Sequence, residues 1–455
     1  MLGLLKEKRL FGDAFWAVFG QLLSACALLA GTRFLTELVT PEVYGQIALL
    51  NGFVALGVTL FSYPFICAGM RLLPECLDKR ERADLYTVVT RLTTRSTAIA
   101  ITLLMLGGRA YSYFTHCDFW LLMLAGILLV VTVRRELGIQ LLIGERKQRG
   151  ASLWQTTDSI LRPLLAVSLV WWGEQKTEWV LLGYILASML SNMAWSFVQD
   201  KKIPKKKRTV IARPFKTEVW AYALPLIPME LIFWVNGLGD RYIIGYLMTA
   251  AEVGLYTATY LIINEAFNRS AMVLLRIFQP VYFQLYSVNQ SKAAFKILWI
   301  WIACVFTLGI AGVLLLLVTS DLVASWVLAK SYHAAVDLMP AIAVGCALNA
   351  LGTVVSQPLL ANKRTRLLLL GRICGAVTAA ISIPLMVKNY GLPGAAMANP
   401  VYFGVETLVL TILARPWRYI SAKNNAVIKQ TKEDMSDKDK IFLNQLPGQP
   451  VIKQI

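Results

Sequence analysis

The stretch EVWAYALPLIPMELIFWVNGLGDRYIIGYLMTAAEVGLYTATYLIINEAFNR, residues 218–269, reads as two apolar spans joined by a short polar corner. Pro225 and Pro228 each lack an N–H and clash with the preceding turn, so the first span must bend or open there. Glu230 follows two residues later, deep in apolar sequence. Broken backbone beside a carboxylate is tolerated at membrane depth where it faces protein or a water-filled cavity. The expectation is a bent helix lining a wet cavity, and that cavity is where function is sought.

Outward from this stretch the chain repeats the same texture. Of its 455 residues 57% are hydrophobic and 16% charged, the mean hydropathy is +0.57, and apolar runs of about 20 residues recur, enough to cross a bilayer. This is an all-α polytopic membrane protein. Spans fall at about 14–34, 46–69, 92–109, 119–138, 151–171, 179–198, 218–238, 253–275, 297–318, 338–360, 367–387 and 395–414, roughly twenty residues each. Leu23-Ser24-Ala25-Cys26 resembles the lipobox of a secreted lipoprotein, but the apolar run continues past Cys26 and the stretch is read as a first span.

The net charge of +18 would suggest nucleic acid in a soluble protein. With the amino terminus inside, however, the inner segments 1–13, 71–84, 144–150, 199–217, 276–296, 361–372 and 415–455 hold 33 of the 45 Lys and Arg. The outer segments hold one each, Arg33, Arg109, Lys176, Arg241, Lys330 and Lys388. That asymmetry places both termini in the cytoplasm and accounts for most of the charge without nucleic acid.

Six basic residues remain within or beside spans. Arg91, Arg95, Arg134 and Arg135 lie near cytoplasmic ends and are expected to snorkel to the headgroups. Arg162 and Arg269 lie deeper, each with a carboxylate four residues before it, Asp158 and Glu265, which puts both groups on one helix face. An internally neutralised pair and a polar cavity lining with arginine available to an anion are both open readings. Glu230 and Glu406 have no local partner in the sequence, so each is read as a silent neutral acid or a coupling group.

The basic run KKIPKKKRTVIARP, residues 201–214, divides the spans six and six. The expected organisation is an N-terminal bundle (1–200), a cytoplasmic linker (201–217), a C-terminal bundle (218–420) and a disordered cytoplasmic tail (421–455). Two halves of like orientation would be related by a pseudo-twofold axis along the membrane normal. A trace of such a repeat is visible: TPEVYGQIALL after the first span and TAAEVGLYTAT after the seventh both place Glu-Val and Gly at the start of an inward-running helix. Gly371-x-x-x-Gly375 reads as helix packing.

No P-loop, HExxH or Gly-rich nucleotide signature occurs, the seven cysteines show no paired spacing, and both histidines, His116 and His333, fall outside the spans. Neither a metal nor another cofactor is expected. The longest external connection, about 19 residues, leaves no room for an external catalytic domain, so a transporter is expected rather than an enzyme.

Three segments carry a family resemblance. Leu38-Val39-Thr40-Pro41-Glu42-Val43-Tyr44-Gly45, the central PLIPMELIFWVNGLGDRYIIGYLMTAAEVGLYTATY and NYGLPGAAMA at 389–398 resemble polysaccharide-type members of the multidrug/oligosaccharidyl-lipid/polysaccharide exporter superfamily. The resemblance implies a V of two six-helix bundles around a cationic central cavity. It implies a flippase for undecaprenyl-diphosphate-linked oligosaccharide, most like O-antigen repeat-unit flippases of the bacterial inner membrane. Membrane lipids, a polysaccharide polymerase and a chain-length regulator would be its partners. Cavity positions implied or placed by chemistry are Arg33, Arg162, Arg241 and Arg269 for substrate, with Asp158, Glu230, Asp240, Glu265 and Glu406 as coupling or cavity acids. An internal Asp240–Arg241 salt bridge is the competing reading of that pair. The alternatives are a drug/cation antiporter of the same superfamily, a peptidoglycan-precursor flippase, and a membrane polysaccharide polymerase or ligase.

Overall fold

The protein was examined as a computed structural model, which describes residues 2–76, 78–115, 119–145, 147–198, 215–288 and 290–417. The basic linker up to residue 214, the tail after residue 417 and the side chains of Lys6, Lys8, Arg9 and Arg109 lie outside the described residues.

In chain order the helices are α1 (Leu2–Leu38), α2 (Pro41–Leu56), α3 (Tyr63–Leu72), α4 (Lys79–Thr115), α5 (Phe119–Gly144), α6 (Gln148–Trp172) and α7 (Thr177–Val198). There follow α8 (Phe215–Ala223), α9 (Leu226–Leu247), α10 (Ala250–Ser287), α11 (Ser291–Val327), α12 (Met339–Val355), α13 (Gln357–Ala361), α14 (Thr365–Tyr390) and α15 (Leu392–Ala414). A π-helical turn, Gly57–Ser62, joins α2 to α3, α8 and α9 are halves of one bent span, and α12 and α13 form another. Twelve spans result, at the positions read from hydropathy. Among the described residues seven helical stretches are long and apolar enough to cross a membrane on composition alone. In α4, α5, α6 and α10 the charges noted above interrupt the apolar run.

The spans form two six-helix bundles. In the first, α1 packs on α6, α6 and α5 on α7, and α4 on α5; in the second, α14 and α12 pack on α15 and α11 on α12. Gly371 and Gly375 open the face of α14 to α15: a Cβ on Gly371 would sit 2.4 Å from Leu410 Cδ2, and one on Gly375 2.5 Å from Glu406 Oε2.

The break expected at Pro225 and Pro228 is a single one. α8 ends at Ala223, Pro225 caps α9 and Pro228 falls in the first turn of α9, where a missing N–H forfeits no intrahelical bond. The two pieces face different neighbours. Phe215, Val219 and Ala223 of α8 are buried with Phe65, Leu72, Leu85 and Val89 of α3 and α4, and Trp220 stacks edge-on to Phe65 at 4.9 Å. Beyond the break, α9 packs on α14.

Where the two bundles meet, the sequence repeat becomes a physical contact. Thr40 caps α2, its hydroxyl accepting from the Val43 N–H at 3.4 Å, and Thr249 caps α10 in a capping box with Glu252. The helices then cross backbone to backbone at their glycines. A Cβ on Gly45 would lie 1.8 Å from the Ala250 carbonyl oxygen, and one on Gly254 1.9 Å from that of Pro41. Each Thr-x-x-x-x-Gly segment thus meets the other in the same way, as a twofold axis between the bundles requires. Flanking contacts lock the same end: Tyr332 Oη donates to the Val39 carbonyl at 3.1 Å, and Tyr44 and Tyr332 stack edge to face at 5.8 Å.

Adding a methyl group at either crossing glycine forces the helices apart. Gly45→Ala and Gly254→Ala are expected to destabilise by about 1–3 kcal/mol each, the range of overpacking. Gly237→Ala, where a Cβ meets nothing within 4 Å, should be neutral or slightly stabilising. Thermal unfolding of the purified variants in one detergent checks the order.

Candidate functional site

Between the bundles lies a cavity of about 670 Å³. α1 lines it with Ser24, Thr32 and Leu35, α2 with Tyr44, Asn51 and Val54, and the π turn with Val58 and Thr59. π turns inside helices occur frequently at functional sites, and Val58 and Thr59 of this one line the cavity. α5 contributes Thr132, Arg135 and Glu136, α6 Gln155, Asp158 and Arg162, α9 Leu238 and Arg241, and α10 Thr257, Leu261 and Arg269.

Four guanidiniums thus converge from four helices, and they differ in what neutralises them. Asp158, 2% exposed, is the shared anion of the first bundle. Its Oδ2 lies 2.8 Å from Arg162 Nε and also accepts from Arg135 Nη1, while its Oδ1 accepts from the Ser188 hydroxyl at 3.0 Å. Arg135 Nη2 donates to Glu136 at 2.7 Å, and Arg162 Nη2 to Ser188 at 3.0 Å and Thr132 at 3.3 Å. In the second bundle Arg269 Nε pairs with Glu265 at 2.7 Å, and its Nη1 donates across the gap to Gln21 of α1.

Arg241 stands apart. Its neighbour Asp240 does not pair with it: Asp240 Oδ1 accepts the Arg241 backbone N–H at 2.8 Å and Oδ2 the Tyr256 hydroxyl at 2.6 Å. Tyr256 in turn accepts from Asn399 Nδ2 at 2.8 Å, and Tyr402 donates to Asn399 at 2.6 Å, a chain that fastens α9 to α10 and α15. The guanidinium of Arg241, in a residue only 9% exposed, lies over the Tyr260 ring at 5.4 Å, and its Nε is buried without a partner. Among the described residues no carboxylate is in salt-bridge range of it. Counting Glu265, three carboxylates pair with three of the four guanidiniums, and Arg241 is the one without an ion pair, the adjacent Asp240 acting on it only through space.

Of the positions singled out from sequence, Arg162, Arg241, Arg269 and Asp158 line this cavity, and Glu265 touches it through Arg269. The others sit elsewhere. Arg33 is held at the bundle junction: it pairs with Glu37 at 2.5 Å, and its Nη1 donates to the Leu328 carbonyl at the end of α11. A helix-end carbonyl with no intrahelical partner draws the guanidinium there. Asp240 is turned into the tyrosine network. Glu230, early in α9, is partly exposed, absent from the lining and without a hydrogen bond or ion pair among the described residues. Glu406, expected to be unpaired, accepts from Arg372 of α14 and from Asn236 Nδ2 at 3.4 Å, so Arg372 faces the bundle interior instead of belonging to the basic end of its span. Arg135 likewise does not snorkel, because Asp158 lies across the helix interface; its neighbour Arg134 is exposed.

No group of three or more His, Cys, Asp or Glu side chains converges as a metal site among the described residues. The arrangement can hold an anion and hydrogen-bond polar groups around it.

Comparison with known proteins agrees with this architecture. The family model described as polysaccharide biosynthesis protein matches residues 10–275, and the chain belongs to that family. No curated protein sequence matches it. Among solved structures, an inward-facing multidrug resistance MATE transporter of the MOP superfamily superposes with a TM-score of 0.68 at 14% identity, covering 90% of this chain and 96% of that one. The lipid II flippase MurJ in an inward closed conformation gives 0.63 at 14% identity, covering 96% and 95%. A MOP superfamily transporter from Pyrococcus furiosus with a binding pocket of reverse polarity gives 0.56 at 15%, covering 90% and 95%. The fold is the one these MOP superfamily structures share, and the chain is a multi-pass membrane member of the polysaccharide biosynthesis protein family.

Removing the shared anion leaves two guanidiniums facing each other in low dielectric. Asp158→Asn is expected to destabilise by about 3–5 kcal/mol, the cost of breaking a buried pair, whereas Glu230→Gln should leave stability within about 0.5 kcal/mol. Unfolding midpoints of the two purified variants test the contrast.

Proposed function

We propose that the protein is a flippase that carries an undecaprenyl-diphosphate-linked oligosaccharide, such as an O-antigen repeat unit, across the bacterial inner membrane by alternating access. The observation that carries the reading is Arg241, a buried guanidinium without a carboxylate partner at the wall of a cavity between two bundles. A bare diphosphate in hydrocarbon faces a desolvation cost of tens of kcal/mol in the Born limit, so its path needs fixed cations. Arg241 supplies the one that no ion pair occupies. Arg162, Arg269 and Arg135, already neutralised, offer N–H donors that a passing phosphate can share. The hydroxyls and amides of Ser24, Thr32, Asn51, Thr59 and Gln155 suit sugar. The cavity volume of about 670 Å³ lies within the usual 300–1,000 Å³ of ligand pockets and would take the head of such a substrate while the polyprenyl chain stays in the bilayer.

With both termini cytoplasmic, the Gly45–Gly254 crossing, the Arg33 contact and the Tyr332 contact lie on the periplasmic side. The state described is then closed outward and loads from the cytoplasm. The bundle division, near the basic linker at 201–217, would supply the two bodies that rock. An inside-negative potential drives anions outward by about 2.3 kcal/mol per charge per 100 mV, so export could proceed without a coupled ion. Paired with Arg372 and Asn236, Glu406 serves here as a structural anion. A drug/cation antiporter would be served by an acidic excess, and the cavity has the opposite balance.

Sidedness of the lipid-linked oligosaccharide in a deletion strain tests the reading, with an impermeant sugar-binding probe on spheroplasts and on inverted vesicles. Precursor should accumulate facing the cytoplasm, and the wild-type chain should restore outward exposure. Precursor that reaches the outer face unpolymerised would point to a polymerase instead. In the same assay Arg241→Gln should slow translocation by one to two orders of magnitude, the equivalent of about 1.5–3 kcal/mol for a charge-assisted hydrogen bond, and Arg241→Lys should slow it less. Improved export of cationic dyes by Arg241→Glu would favour the antiporter.

A further inference from the structure

We infer that the outer face of α4 is a binding site for an anionic phospholipid of the cytoplasmic leaflet, separate from the central cavity. α4 contributes nothing to that cavity, yet it carries a row of exposed arginines and threonines on its outer surface. Two ladders of residues four apart run along it, Thr87, Arg91, Arg95, Ile99, Leu103 and Thr90, Thr94, Ala98, Thr102, Leu106, and all ten are exposed. Each four-residue step turns by about 40°, so the ten side chains form a stripe that winds slowly around the exposed side of the helix.

The stripe is graded as a lipid is. Toward the end that the basic loops assign to the cytoplasm, Thr87, Thr90, Arg91, Thr94 and Arg95, with Ala83 and Tyr86, line a shallow, open surface groove of about 480 Å³ formed by α4 alone. Below it Ile99, Leu103 and Leu106 are more than half exposed, at 56%, 54% and 65%. From Arg95 to Leu106 the helix rises about 16 Å, roughly one leaflet's share of a hydrocarbon core about 30 Å thick. A phosphate seated between the guanidiniums would therefore leave its acyl chains along the apolar part of the same stripe.

Charge complementarity selects the occupant. Neither Arg91 nor Arg95 has an ion pair or hydrogen bond among the described residues, and the Thr90 and Thr94 hydroxyls also make none. Glu145, reached from the groove by Tyr86, is committed to the Tyr86 hydroxyl and to Lys147 at 2.6 Å. Asp84 stands two turns from Arg91, about 10 Å along the axis. Two neighbouring cations with threonine donors between them suit a phosphodiester. A neutral choline lipid, whose own cation cancels its phosphate, would gain less.

The test is native mass spectrometry of the full-length protein in detergent, titrated with dioleoyl phosphatidylglycerol and with dioleoyl phosphatidylcholine. The wild-type chain should bind the glycerol lipid at least about fivefold more tightly. Arg91→Gln/Arg95→Gln should lose most of that preference, Arg91→Lys/Arg95→Lys should keep most of it, and Arg134→Gln, an exposed arginine on α5, should keep all of it. None of these side chains has a partner to lose, so folding is preserved. Equal affinity of the wild type for both lipids, an unchanged preference in the double glutamine variant, or an equal loss in Arg134→Gln would each overturn the assignment. Failure here leaves the flippase reading untouched, because the two sites share no residue.

Discussion

A charge carried into a hydrocarbon slab must find a partner or water, and the interior of this protein is arranged by that requirement. Asp158 gathers Arg135 and Arg162 from two helices, Glu265 and Gln21 hold Arg269 between bundles, and Glu406 takes Arg372 within the second bundle. Once these pairs are formed, Arg241 is left over beside the cavity, because its adjacent carboxylate is spent on the tyrosine and asparagine chain that ties α9 to α10 and α15. That Arg241 forms no ion pair is thus a consequence of how Asp240 is oriented. The same chain of donors gives Arg241 a rigid mount, which an anion site requires if the charge is not to relax into another pairing.

Backbone chemistry sets the frame in which these charges meet. Two glycines let α2 and α10 cross at backbone distance, fixing the bundles at one end, while Pro225 parts the seventh span so that α8 stays with α3 and α4 and α9 leaves with α14. A junction tight at one end and a span shared between bundles leave a gap below the crossing. The π turn and the polar faces of α1, α2, α5, α6 and α10 surround that gap.

Much of this was legible in sequence because it rests on local rules. Apolar runs of span length gave twelve crossings, and prolines gave the break. Four-residue spacing identified Asp158–Arg162 and Glu265–Arg269 as pairs, and both form. The Thr-x-x-x-x-Gly repeat, faint as a sequence match, marks the positions where the bundles touch. The misreadings share a cause. Arg135 resembled a snorkelling arginine, Arg372 a loop cation, Glu406 an orphan and Arg33 a cavity residue, and in each the deciding partner lies on another helix or at its end.

By itself, then, the sequence determined the number of spans, the broken seventh span and the presence of costly intramembrane charge, since hydropathy, proline geometry and helical spacing act within a few turns of one segment. Only the tertiary structure decided which charges cancel and which face the cavity. Arg135 and Asp158 are 23 residues apart, Arg372 and Glu406 34, and Arg269 and Gln21 248. Whether a guanidinium is neutralised depends on a distance of a few ångströms between helices, and that distance is set by packing.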